Sequence, residues 1–152
     1  MKVTREGWVR IGLAAATAAA VVGGAYAVGW LTQARPDATL ERADGPASAV
    51  SRLLGVDESS LTSYETFRGV RPWSFVDSFG NSCLFLIEHS ALLREECVPR
   101  EGELMADIGA WPAVDPDFAT GLPDGSVIRF HYRGDAVDVF VHRADPPRRT
   151  GP

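Results

Sequence analysis

The chain has 152 residues, 45% hydrophobic and 23% charged, with a formal net charge of −5. That is room for one packed domain once a targeting segment is subtracted. The acidic balance argues against a nucleic-acid surface, which needs clustered positive charge, so no nucleic-acid partner is expected. Of the 15 basic residues only Lys2 is a lysine, so no lysine base or nucleophile is available to the body of the chain.

Lys2, Arg5 and Arg10 stand against Glu6, and then charge disappears from Ile11 to Leu31. At about 1.5 Å per residue a helix of that length spans roughly 30 Å, the thickness of a hydrocarbon core. A domain this small has no use for a helix that is apolar on every face, so residues 11–31 are expected in a membrane. Retained, the segment is a transmembrane signal anchor with Trp8 and Trp30 at its two interfaces and residues 1–10 as a cytoplasmic basic flank. Ala25-Tyr26-Ala27 also fits a small-x-small processing site, so a signal peptide cleaved after Ala27 is the alternative. The apolar run continues past that site, which favours the anchor. Both readings export the remainder, either as a single-pass cell-membrane protein with its C-terminal domain outside or as a secreted one. The charge bias behind that orientation is modest, because Arg35 and Arg42 follow the span. Gly12, Ala16, Ala20 and Gly24 form a ridge of small residues that could pair two copies as a homodimer; an Ala-rich segment also produces such a ridge by chance.

Residues 32–45 mix Pro, Gly and alternating charge and read as a tether. The extracytoplasmic domain is expected over 46–143, with 144–152 a disordered tail. Pro46 suits a first helical position, Ala49, Val50, Leu53 and Leu54 share one helical face, and Gly55 ends the run. That is one short amphipathic helix. Leu61 to Phe67 alternates loosely. "WSFVDSFGNSCLFLIE" then reads as strand, turn, strand, with the turn at Phe79-Gly80-Asn81-Ser82. The stretch "CLFLI" is apolar on both faces, as in the middle of a sheet.

Cys83 and Cys97 are the only cysteines. In an oxidising compartment such a pair closes. A loop of about 15 residues is worth roughly 3 kcal/mol in the chain-entropy account. The return from Cys83 to Cys97 through "EHSALLREE" is either a hairpin or a single helical turn. A metal site would have only His89 as a third nearby ligand, short of the usual four, so a disulfide is preferred and no metal is expected. There is no C-x-x-C redox motif.

Gly102 to Gly125 is irregular and reads as an ordered loop pinned by Trp111 and Phe118. "SVIRFHYRGDAVDVFVHR" is a hairpin. With Gly134-Asp135 as a two-residue turn, Tyr132 pairs Val137, Phe130 pairs Val139 and Ile128 pairs Val141, all apolar on one face. His131 then meets Asp138 and Arg129 meets Phe140 on the other.

Chemistry is sparse. No nucleophile elbow, zinc-helix or phosphate-loop motif is present. His131 with Asp138 could orient a general base, with His142 further along the same face, but a surface pair is the commoner meaning. Asp107, Asp115, Asp117 and Asp124 match no calcium-loop spacing and read as turn aspartates. Arg133-Gly134-Asp135 spells an adhesion tripeptide where the turn itself demands Gly and Asp. No catalytic, cofactor or metal residue is assigned.

With "GNSCLFLI", "EECVPR" and "LPDGSVIRFHYRGDAVDVFV", the chain resembles small single-pass envelope proteins of actinobacteria, a group without an assigned activity. The resemblance covers most of residues 60–142 and implies location and fold class while transferring no site. The expected class is α+β: one N-terminal transmembrane helix, then a small, mostly antiparallel β-sheet domain with one short helix. The expected function is a non-enzymatic extracytoplasmic domain that binds or supports an envelope protein partner. The alternative is a secreted or anchored hydrolase using the His131/Asp138 face.

Overall fold

The computed structural model describes residues 34–111 and 115–145; the expected membrane segment, the small-residue ridge within it and the last seven residues lie outside them. Among the described residues no helix is long and apolar enough to cross a membrane.

The unit that begins at Pro36 is mostly β, with two four-stranded antiparallel sheets among its described residues. The first runs in the order β1 (Ala38–Leu40), β8 (Val137–His142), β7 (Ser126–Tyr132), β6 (Met105–Ala110). The second runs β2 (Thr62–Ser63), β3 (Val70–Val76), β4 (Ser82–Glu88), β5 (Ala91–Val98). A bridge between Arg42 and Tyr64 joins the two where β1 leads toward β2.

The β7–β8 hairpin has the register expected of it, with Tyr132, Phe130 and Ile128 opposite Val137, Val139 and Val141. Gly134 takes φ +93°, and the Arg133 N–H donates to the Ala136 carbonyl at 2.8 Å across the turn. The apolar face of this hairpin packs into the main core with Leu84 and Leu86 of β4. Cys83, Phe85 and Ile87 of the same strand point the opposite way, into a second cluster with Val50 and Trp73. That division explains why "CLFLI" has no polar side: β4 lies between β3 and β5 and is covered on both faces.

The second cluster is roofed by α1 (Ala47–Leu54), with Val50 its buried residue. Gly55 closes the helix in the left-handed region at φ +68°, its N–H donating to the Ser51 carbonyl at 2.8 Å.

Two segments depart from expectation. The tether assigned to 32–45 contains β1, whose register places Ala38, Thr39 and Leu40 against Val139, Asp138 and Val137. Asp37 clamps it, its N–H on the Val139 carbonyl and its carboxylate on the Val141 N–H, both at 2.7 Å. A three-residue edge strand is too short to show a period, so the domain starts earlier than the pattern suggested. The loop expected over 102–125 contains β6, paired along its length with β7. Its Ala and Gly residues have weak strand propensity, and pairing decides instead. Trp111 is 54% exposed and pins nothing into the core, whereas Phe118 of α2 (Pro116–Ala119) is buried as expected.

Candidate functional site

Between α1 and the outer face of the second sheet lies a groove of about 290 Å³. Val50 and Leu53 form its helical wall, Trp73 and Ile87 the sheet side, and Arg71 and His89 are its charged or ionisable members. The sheet brings these together: Arg71 of β3 pairs directly with Ile87 of β4. Leu53 remains 46% exposed at the groove, an apolar side chain without cover on that side.

The chain enters α1 by crossing Trp73. A β-carbon on Gly45 would lie 2.8 Å from the Trp73 ring, so only glycine passes here without a shift. Arg71 is anchored by one Nη1 hydrogen bond to the Asp44 carbonyl at 2.9 Å. Among the described residues no carboxylate lies within ion-pair distance of it. A planar guanidinium carries five N–H donors, so one bond leaves most of its capacity open.

Two tight turns sit at this end of the sheet. Arg68-Gly69 has φ values of +51° and +84°, and His89-Ser90, joining β4 to β5, has +45° and +71°. Both match the type I′ pattern, which needs positive φ at both central residues. Neither His nor Ser is freed of the Cβ penalty there, at about 1–2 kcal/mol per residue. A strained turn beside a groove is a common setting for a binding site. Just beyond it, burial pushes Glu88 above its ordinary carboxylate value, and the Asp115 carboxylate adds to that. Asp115 also caps α2, accepting from the Phe118 N–H at 3.0 Å.

Cys83 and Cys97 form a disulfide between directly opposed residues of β4 and β5. The return between them is thus the hairpin of the two alternatives. No C-x-x-C and no free thiol accompany it among the described residues. His131 and Asp138 do stand opposite each other, but Asp138 accepts its hydrogen bond from the Thr39 hydroxyl, at 2.7 Å. No hydrogen bond or ion pair joins His131 to Asp138 among the described residues. His131 borders an open hollow with Ser82 and Arg100, again without a bond to the serine. His142 is exposed at the far end of β8.

The aspartates do not converge. Asp107 sits within β6 rather than in a turn, and both its oxygens take Arg129, at 2.8 Å each. The Arg129 hydrogen bond holds that carboxyl below its ordinary value. Among the described residues no group of three His, Cys, Asp or Glu side chains could hold a metal ion. The Arg133-Gly134-Asp135 tip is tied down as a turn, its Gly134 carbonyl accepting from the Tyr132 hydroxyl at 3.0 Å and from Arg42 at 3.3 Å.

The groove was not singled out by sequence reasoning. A faint signal was there: the amphipathic helix ends with both Leu53 and Leu54, of which Leu54 packs on the second cluster and Leu53 stays exposed. No protein-family model, curated protein or solved structure matches the chain.

Proposed function

We propose that this chain is a membrane-anchored extracytoplasmic binding domain of non-enzymatic type, held to an envelope partner or ligand rather than turning one over. The observation that carries the reading is the Cys83–Cys97 disulfide, which belongs to an oxidising compartment. The charge-free run from Ile11 to Leu31 supports the same side of a membrane. The open apolar groove, with a guanidinium at its rim, supports binding as the activity.

The test is topological and chemical together. In native material both sulfurs resist alkylation until a reductant is added, and a reporter fused after Leu31 is active only outside the cytosol. Free, alkylatable thiols in untreated cells, or a reporter active only inside, overturn the reading.

A further inference from the structure

We propose that the groove between α1 and the outer face of the second sheet binds a small amphiphilic carboxylate, its acyl tail against Trp73, Ile87, Val50 and Leu53 and its head on Arg71. The inference deepens the reading of the chain as a binding domain, but it does not depend on which side of the membrane the domain occupies.

Three observations fix the ligand's chemistry. The first is size: a groove of about 290 Å³ stands at the small end of the range for small-molecule sites. That suits a medium-chain acid and excludes a folded partner or a long lipid lying wholly inside. The second is the wall. Trp73 is 2% exposed and Ile87 6%, so the sheet side is a fixed, packed surface, while on the helix Val50 is buried and Leu53 is 46% exposed. An acyl chain laid between them covers the open side of Leu53 without moving the core.

The third is charge. Arg71 lies on the same face of β3 as Trp73 and is half-buried, steered by its bond to the Asp44 carbonyl. It is the sole guanidinium lining the groove, and no acid neutralises it among the described residues. A partly desolvated guanidinium gains most from an anion that accepts two parallel N–H bonds, which a carboxylate does. Arg71 is the groove's one permanent cation, with His89 its other ionisable member, and a single negative charge on the ligand is matched by the guanidinium. Thr66 and Ser90 also line the groove and bring hydroxyl groups to it.

The full chain is placed in nanodiscs, and methyl NMR of Val50, Leu53 and Ile87 is followed at fixed neutral pH with three probes. Octanoate carries head and tail, octanol the tail alone, and acetate the head alone; empty nanodiscs give the partition of each into lipid. Octanoate is expected to shift these methyls saturably, with a dissociation constant on the order of 0.1–1 mM for a ligand of about ten heavy atoms. Octanol binds at least tenfold more weakly, and acetate leaves the methyls where they are. Arg71→Gln lowers octanoate affinity at least tenfold. Because Arg71 also holds the Asp44 carbonyl, Leu53→Asp is the second variant: it alters an exposed position and sets a like charge beside the bound acid. It is expected to keep the fold and abolish the octanoate shifts. Equal binding of octanol and octanoate overturns the assignment to Arg71. Absence of saturable methyl shifts, or octanoate binding unchanged in Leu53→Asp, overturns the site itself. A cytosolic reporter result leaves these shifts unaffected, so failure of location and failure of the ligand are told apart.

Discussion

Cys83 and Cys97 face each other across β4 and β5 at a Cα separation of 4.1 Å, the first buried beneath α1 and the second exposed on an edge strand. The close approach is that of an antiparallel pair without its own backbone bonds. Since the strands already pair, the bond acts chiefly by restricting the unfolded chain. The Cys83→Ala/Cys97→Ala double variant is expected to lose about 3 kcal/mol. That corresponds to a Tm lower by on the order of 10 °C for a domain of this size. Calorimetry checks it: reductant should lower the Tm of the parent and leave that of the variant unchanged.

Gly45 tests how tightly the entry to α1 is built. An alanine there places its Cβ 2.8 and 2.9 Å from two atoms of the Trp73 ring and 3.0 Å from the Ser63 hydroxyl. Trp73 is packed on the sheet and has little room to yield. Gly45→Ala is expected to cost about 1–3 kcal/mol, as overpacking does. In urea the midpoint should fall while the slope of the transition stays the same.

Acid and neutral pH should act on opposite carboxyls. Asp107 has its folded value lowered by Arg129, so its contribution is complete above the unfolded carboxylate value and is lost as pH falls through the folded one. Replacing it as Asp107→Asn should flatten the loss of stability below about pH 4. Glu88 is raised, so the sign reverses: its contribution is present below the unfolded value and is lost as pH rises through the folded one. Relative to Glu88→Gln, the parent is expected to lose stability upward from about pH 4. Denaturant midpoints of the three proteins across pH 3–7 measure both trends.

The His89-Ser90 turn predicts a gain. Ser90 holds φ +71°, where a side chain is costly and glycine is not. Ser90→Gly is expected to stabilise the fold by about 1 kcal/mol, as far as the added freedom of the unfolded chain allows. A lower midpoint in equilibrium unfolding would contradict the strain assigned to this turn.

β5 shows how an edge is kept from pairing with other chains. Arg94 pairs with Leu86 and Leu92 with Ile87, leaving Leu93 as a bulge. Arg94, Glu95 and Glu96 then place charge along the strand, with Arg94 and Glu96 joined as an ion pair. Bulge and charge both discourage edge-to-edge association. None of this was visible in "ALLREECV", because whether a strand lies at an edge depends on what fails to pair beside it. The turn before it was equally hidden, since His-Ser carries no glycine or asparagine signal for a type I′ hairpin.

What the amino-acid order determined by itself was local. The alternation around Gly134-Asp135 set the β7–β8 register, the doubly apolar "CLFLI" implied a central strand, and Pro46 and Gly55 bounded the helix. The expectation that residues 11–31 lie in a membrane likewise rests on a charge-free length alone. Only the tertiary structure decided that Ala38–Leu40 joins a sheet, that "MADIGA" is a strand, and that Arg71, Ile87 and Leu53 enclose one groove. Period and capping are carried by neighbouring residues, whereas these features come from pairings between segments distant along the chain. Their free energy appears only once both sides are in place.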